Sequence, residues 1–404
     1  MAAVKDDSTK LTGAAFAVCL LAGLIVRVAL TATSVGTNDV VFMIMWARLA
    51  NEFGIAHAYA HNAVLNHPPL SLLSFHLMDL AARRIGIEYT DVMRLVQIAA
   101  DVVTTAALAR IARLKGFDAR AVSLMFWLSP AAIAISAFHC NTDPTMVALT
   151  TVAVMLALDD RATWSGAALA LATGIKILPL LALPIFFIVL ARRRAAFLGA
   201  FAAVAFVIFV PARLIGGPAV WRNVFAYSGF PGKWGITGIF YNAGLRLGAG
   251  RPFVLLAYAY AEYGKYVLAI ALVALFAWLW RSRSDRANAL TAAVPLAFLL
   301  AIFLAPGFGI QYLVWPLPLL PFLLPRSWAL ALNAAFSAYA FLAYTIWSRG
   351  FPWWYADSVA PTPGKIWVTI VGIPVWLLTG AAIAVAIRNR RLWTAPQPDA
   401  VTPS

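Results

Sequence analysis

Charge is scarce in this 404-residue chain, and acids are the scarcer sign: 31 Lys and Arg stand against 16 Asp and Glu, and all four types together make up 12% of the residues. With 63% hydrophobic residues and a mean hydropathy of +0.83, too little polar surface exists to solvate a fold of this length, so the chain must use lipid as its solvent. Cysteine is nearly missing as well. Cys19 and Cys140 lie in or beside apolar runs, which leaves neither a disulfide framework nor a cysteine-based metal site. No Walker loop, dinucleotide-binding Gly-rich turn or nucleophilic Ser motif is present, which argues against a cytosolic nucleotide site. A net charge of +15 would suit nucleic acid only if the basic residues formed a face on a soluble domain. Here they fall in short clusters between apolar runs, and nucleic acid is not an expected partner.

What the chain does have is long apolar runs, such as Leu11 to Thr33 and Lys265 to Trp280. These are unbroken where a membrane β-barrel would alternate over about ten residues, so the expected class is an all-α polytopic membrane protein. Allowing about 20 residues per crossing, spans are expected at 11–33, 91–113, 119–138, 144–158, 163–177, 178–191, 195–214, 254–280, 288–305, 312–325, 327–347 and 365–387, all within one integral membrane domain over 1–404. The N-terminus MAAVKDDSTK precedes the first span without a small-residue cleavage signature, so that span is expected to stay as a signal anchor.

Segment 68–82 decides the register. It resembles a span but is short and carries Ser71, Ser74, His76 and Asp79. Read as a helix lying in the interface, it leaves four basic clusters on the cytoplasmic side: Arg110, Arg113, Lys115 and Arg120; Arg192 to Arg194; Arg281, Arg283 and Arg286; and Arg388, Arg390 and Arg391. Both termini are then cytoplasmic. The external segments are 34–90 with amphipathic helices, turns near 139–143 and 174–178, a Gly- and aromatic-rich loop at 215–253, 306–311 and 348–364. Between 144 and 191 the runs are short and broken at Pro144, Gly174, Pro179 and Pro184, which lipid tolerates only beside protein or a water-filled cavity. A cavity on the outer side of this region is the expectation.

Several polar residues fall at that side. Asp39, beside Asn38, follows the first span, either as a helix N-cap or as an acid facing the cavity. Asp143 precedes Pro144 as an ordinary helix start would, in a turn made polar by His139 and Asn141. Lys176 has no acid near it in sequence. An unpaired ammonium at membrane depth is costly, so it either snorkels to the interface or meets an anion such as a lipid phosphate. Gln311 and Tyr312 stand at the mouth of a later span. Aromatic-belt anchoring accounts for Tyr312 and Trp315 but not for Gln311. Four of the five histidines, His57, His61, His67 and His76, lie in the first external segment. The four-residue spacing of His57 and His61 could serve a metal, but no HExxH pattern accompanies it, so no metal is expected.

In order, Asp39, Trp46, His67-Pro68-Pro69-Leu70, Ser129-Pro130, Phe138-His139-Cys140-Asn141, Ile175-Lys176 with Pro179, and Ile310-Gln311-Tyr312 together resemble the GT-C class of membrane glycosyltransferases. Within it they are most similar to the dolichyl-phosphate-glucose-dependent glucosyltransferases and their bacterial relatives. His67 stands where that family has an aromatic residue and Gln311 where it has a histidine. The resemblance implies transfer of a hexose or related sugar from a polyprenyl-phosphate donor to a lipid-linked or glycan acceptor, with no single sugar implied, since bacterial members of the class use mannose, arabinose or aminoarabinose. It implies inversion, an outward-facing site in the cytoplasmic membrane, Asp39 as general base, and Lys176, Gln311 and Tyr312 at the donor phosphate. Asn38, His67, His139, Asn141 and Asp143 would shape the substrate pocket. Because the leaving group is a monophosphate ester, a metal cofactor is optional. The competing expectation is a lipid or solute transporter in which the same charges bind ions or a headgroup. No internal repeat of the kind common in transporters is visible.

Overall fold

The computed structural model describes residues 12–225, 232–282, 286–348, 354–357 and 365–389. The polar N-terminus, residues 226–231, Arg283, Arg390, Arg391 and most of 348–364, all read above from sequence, lie outside the described residues.

The chain opens with α1 (Gly13–Thr33), a two-residue strand β1 (Gly36–Thr37) and α2 (Asn38–Phe53). A short α3 (Ala58–His61) leads to α4 (Pro69–Ile85) and the long α5 (Tyr89–Leu114). Next come α6 (Ala119–Trp127) and α7 (Pro130–Ile133), the latter running on as a π-helical turn over Ala134–His139. Pro130 cannot continue the hydrogen-bond ladder of α6, and the axis bends there by 49°. After α8 (Asp143–Leu158) and α9 (Ala162–Ile175), a 3-10 turn at Leu178–Ala182 enters α10 (Leu183–Val189). The helices α11 (Arg194–Gly216), α12 (Pro218–Phe225), α13 (Gly235–Arg246), α14 (Arg251–Arg281) and α15 (Arg286–Leu304) follow. Two 3-10 turns, Ile310–Val314 and Leu317–Leu319, precede α16 (Leu320–Leu323). The last elements are α17 (Arg326–Trp347), a strand β2 (Tyr355–Ala356) and α18 (Lys365–Arg388).

The all-α membrane class is what the structure has. Six helices are long and apolar enough to cross a membrane, α6 and α7 form one bent pair, and five shorter apolar helical stretches match the short spans expected near Pro and Gly. Of these, α4 belongs to neither group. It buries Pro69, Ser71, Leu72, Phe75, Met78 and Ala82 on one face and ends in Arg83 and Arg84, an amphipathic pattern. The expected 215–253 loop is largely helical, folded as α12 and α13.

α15 is buried almost all round, while the most apolar window of α1 is only 11% buried. With no hydrophobic drive between helices in lipid, close backbone approach and polar contacts hold such a bundle together. α9 and α11 meet at Gly166, where a Cβ would lie 2.1 Å from the Phe197 carbonyl oxygen. α1 meets α6 at Gly23, where a Cβ would lie 2.3 Å from Trp127 Nε1.

Helix direction alternates along the chain, so the ends carrying Asp39, His139, Asp143, Lys176, Tyr312 and Tyr344 converge. The opposite ends carry Arg110, paired with Asp159 at 2.7 Å, and Arg193, paired with Asp160.

Candidate active site

Gly36 opens the site. Its φ of +103° is a conformation that side-chain-bearing residues rarely adopt, and a Cβ there would meet the Phe138 carbonyl oxygen at 2.8 Å. The glycine therefore lets β1 lie against the π-helical turn while pairing in parallel with β2, Gly36 opposite Tyr355 and Thr37 opposite Ala356. Thr37 is the N-cap of α2: its Oγ1 accepts from the Asp39 backbone N–H at 3.3 Å and donates to the His139 carbonyl at 3.2 Å. The N-cap reading of Asp39 is thereby corrected. A threonine two residues earlier caps the helix and leaves the acid's side chain for other partners.

Those partners come from the far end of the bent span. Asp39 Oδ2 accepts from Asn141 Nδ2 at 2.7 Å and meets His139 Nε2 at 3.0 Å. Oδ1 takes none of these bonds, and a quarter of the side chain stays exposed. Cys140 makes the tight turn between the two partners in a left-handed conformation, φ 58°. Burial pushes the Asp39 carboxyl up, but the His139 and Asn141 hydrogen bonds and the Lys176 charge outweigh it and hold the group at about 2. On its other side His139 Nδ1 lies 2.9 Å from the hydroxyl of Tyr344, a buried residue of α17. A carboxylate only accepts, so Nε2 carries the proton and Nδ1 is left to take the tyrosine's.

A second cluster adjoins the first. Asp143 is fully buried, and each of its oxygens accepts from Lys176 Nζ at 2.8 Å. Trp315 Nε1 donates to Oδ1 at 2.5 Å. Three expectations are corrected here. Asp143 is the first residue of α8 and serves an ion pair rather than a cap, and Lys176 is not an unpaired ammonium, because the fold brings it an acid from 33 positions away. Nor is Trp315 a belt anchor, being 5% exposed and engaged with a carboxylate. Lys176 lies 5.0 Å from the Tyr312 ring centroid and 5.7 Å from that of Trp315, a cation–π seat on two rings stacked at 4.0 Å.

His67 completes the cluster from the loop before α4. It packs between Trp46 and Phe75, with centroids at 4.9 and 5.8 Å, and its Nδ1 lies 2.9 Å from Asn66 Oδ1. Burial and the Lys176 charge lower its pKa to about 4, so the ring is neutral at neutral pH. Its buried Nε2 has no hydrogen-bond partner among the described residues. Asn38 is buried at the start of α2. Gln311 is not drawn into the cluster: its amide folds back on its own 3-10 turn, against Gly309. His61 stacks on Phe53 at 3.8 Å, and His76 Nδ1 bonds Asn51 Oδ1. No group of three or more His, Cys, Asp or Glu among the described residues is placed to hold a metal.

Sequence reasoning missed Thr37 and Tyr344. Nothing local marks either one: a threonine before an acid and a tyrosine near the end of an apolar span are both ordinary in membrane proteins.

A bundle of broken and continuous apolar helices with a carboxylate, an imidazole and a lysine gathered at one end defines a polytopic membrane protein with a polar cluster at one end of its helices. The chain belongs to glycosyltransferase family 87, a GT-C-type membrane family, whose profile matches residues 65–306. No curated protein matches the chain. The family makes this a membrane glycosyltransferase, the class read from the motifs, and supports transfer over transport. The tie to the dolichyl-phosphate-glucose-dependent enzymes goes no further than that class. The matched region holds His67, His139, Asn141, Asp143 and Lys176, while Asp39, Gln311 and Tyr312 lie outside it.

Proposed function

We propose that this glycosyltransferase takes a hexose or related sugar from a polyprenyl-phosphate donor and passes it, with inversion, to a lipid-linked or glycan acceptor on the extracytoplasmic face of the cytoplasmic membrane. The observation that carries the reading is a carboxylate with one oxygen held by His139 and Asn141 and the other outside those bonds, within the field of a lysine seated on two aromatic rings. The basic loops at the opposite end support the sidedness.

In this scheme Asp39 Oδ1 takes the proton of the acceptor hydroxyl as its oxygen attacks the anomeric carbon. The bond from that carbon to the phosphate oxygen breaks, and polyprenyl phosphate leaves. Lys176 stabilises the growing charge on the phosphate as a point charge in a low-dielectric setting. Asp143 and Trp315 hold the ammonium in place, and its remaining N–H is free to face the donor. A carboxyl held at about 2 is a weak base. An arriving phosphate raises it in part, by offsetting the Lys176 charge, the smallest of the causes that lower Asp39. His139 and Asn141 fix Oδ2, while His67, Asn38 and Tyr312 shape the walls.

The test is purified protein in lipid offered a panel of polyprenyl-phosphate sugars, with release of polyprenyl phosphate as the readout. Asp39→Asn should lower turnover by about 10²-fold or more, and Lys176→Met/Asp143→Asn, which removes the ammonium without leaving the buried Asp143 carboxylate unpaired, should cut donor use steeply. Turnover of nucleotide sugars alone would overturn the donor class. Near-parental rates for Asp39→Asn would remove it as the base.

A further inference from the structure

Two arginines at the Asp39 end of the bundle are unexplained by the site. α11 begins at Arg194, beside the basic cluster, and at a rise of about 1.5 Å per residue Arg213 stands about 29 Å further along its axis. That is close to one hydrocarbon thickness, which puts Arg213 at the phosphate level of the opposite leaflet. The positive-inside bias supplies no reason for a cation there.

The chain turns at Gly217, and α12 buries Val220, Asn223 and Val224 while leaving Trp221, Arg222 and Phe225 exposed. Between the two helices lies a cleft of about 440 Å³ lined by Arg213, Pro218, Trp221, Arg222 and Phe225. Neither arginine has a carboxylate within 4.0 Å among the described residues. The rings of Trp221 and Phe225, 4.4 Å apart, form an apolar wall. Below Arg213, α11 presents exposed Phe206 and Val207, and beside it exposed Leu214 and Ile215, so the cleft opens onto the face that lipid covers. Asn223 holds α12 in place by donating to the carbonyls of Tyr59 and Asn62 at 3.2 and 3.0 Å.

We propose that this cleft binds the phosphate of an anionic glycerophospholipid in the leaflet nearest Asp39. Both guanidinium groups grip the phosphodiester, Trp221 lies at headgroup level and the acyl chains run down α11. Planar guanidinium forks match phosphate oxygens, and arginines at this depth need an anion to offset their partial desolvation. The proposal is independent of the glycosyl-transfer reading, because the cleft shares no residue with the Asp39 cluster.

Full-length protein in neutral detergent, offered limiting phosphatidylglycerol and measured by native mass spectrometry, tests it. The parent should retain the lipid, and the double variant Arg213→Gln/Arg222→Gln should lower the retained fraction about tenfold or more. Arg84→Gln, an exposed arginine elsewhere at the same end, should not. Equal thermal midpoints in phosphatidylcholine nanodiscs establish that the variant is folded, and the single Arg222→Gln, on an exposed face, repeats the test if the double variant is not. Unchanged retention in the folded variant overturns the site. Displacement of the lipid by millimolar inorganic phosphate would overturn its assignment to a lipid rather than a free anion.

Discussion

His67 carries the clearest pH signature in the molecule. Its ring is buried on Trp46 and Phe75 with a pKa of about 4, against about 6.5 in an unfolded chain. Between those values the unfolded chain binds more protons, so stability rises with pH across the window and is lost as pH falls from about 6.5 to 4. The contribution is on the order of 3 kcal/mol. Thermal midpoints between pH 4 and 7 should therefore slope upward in the parent, and His67→Phe, which keeps the stack and removes the titrating nitrogens, should flatten the slope. Asp39 acts in the same sense in a lower window. Its depressed carboxyl contributes stability above about pH 4 that disappears as pH falls through about 2. It follows that Asp39 gives no acid limb to kcat/KM between pH 5 and 8. A limb in that range that survives in a His139 variant would place the titrating base elsewhere.

Among the elements, α1 depends most on one contact. It buries only Gly23 and Arg27. Arg27 is fully buried, bonded to Asp101 at 2.9 and 3.0 Å, to the carbonyls of Gly23 and Trp127, and stacked 4.1 Å from the Trp127 ring. Since β1 and Asp39 follow α1 directly, this lock sets where the carboxylate starts. Asp101→Leu leaves a guanidinium buried without its counter-charge and should destabilise by about 3–5 kcal/mol, whereas Arg27→Met/Asp101→Leu should cost less than that single change. Thermal unfolding in lipid nanodiscs distinguishes the two. Between α9 and α11 the approach at Gly166 is tighter than any side chain allows. Gly166→Ala should separate the helices at a cost of about 1–3 kcal/mol, read by the same measurement.

For the whole molecule the question is sidedness. Asp39, His139, Asp143 and Lys176 share one end, and the Arg110 and Arg193 loops share the other, so one topology measurement places all of them. A reporter tag beside Arg84 should read extracytoplasmic and one beside Lys115 cytoplasmic. A cytoplasmic tag at Arg84 would turn the site inward and remove a lumenal or periplasmic donor. The same arrangement explains how a chain without repeats builds a two-part site. Segment 34–90 brings Asp39 and His67, the broken middle helices bring His139, Asp143 and Lys176, and the late helical segments bring Tyr312, Trp315 and Tyr344.

Composition alone determined that this chain lives in lipid, because no soluble fold hides so much apolar surface. Period and length determined where its helices run, down to the short spans interrupted at Pro and Gly. Motif order reached the GT-C class and named Asp39, His139, Asn141, Asp143 and Lys176 as candidates, which the fold gathers at one end. Pairings were a different matter. That Lys176 belongs to Asp143, that Thr37 rather than Asp39 caps α2, that Tyr344 meets His139 and that Gln311 turns away are decided by contacts between residues far apart in sequence. Only the bundle brings them together: a residue type fixes what bonds a side chain can make, and packing fixes which of them it does.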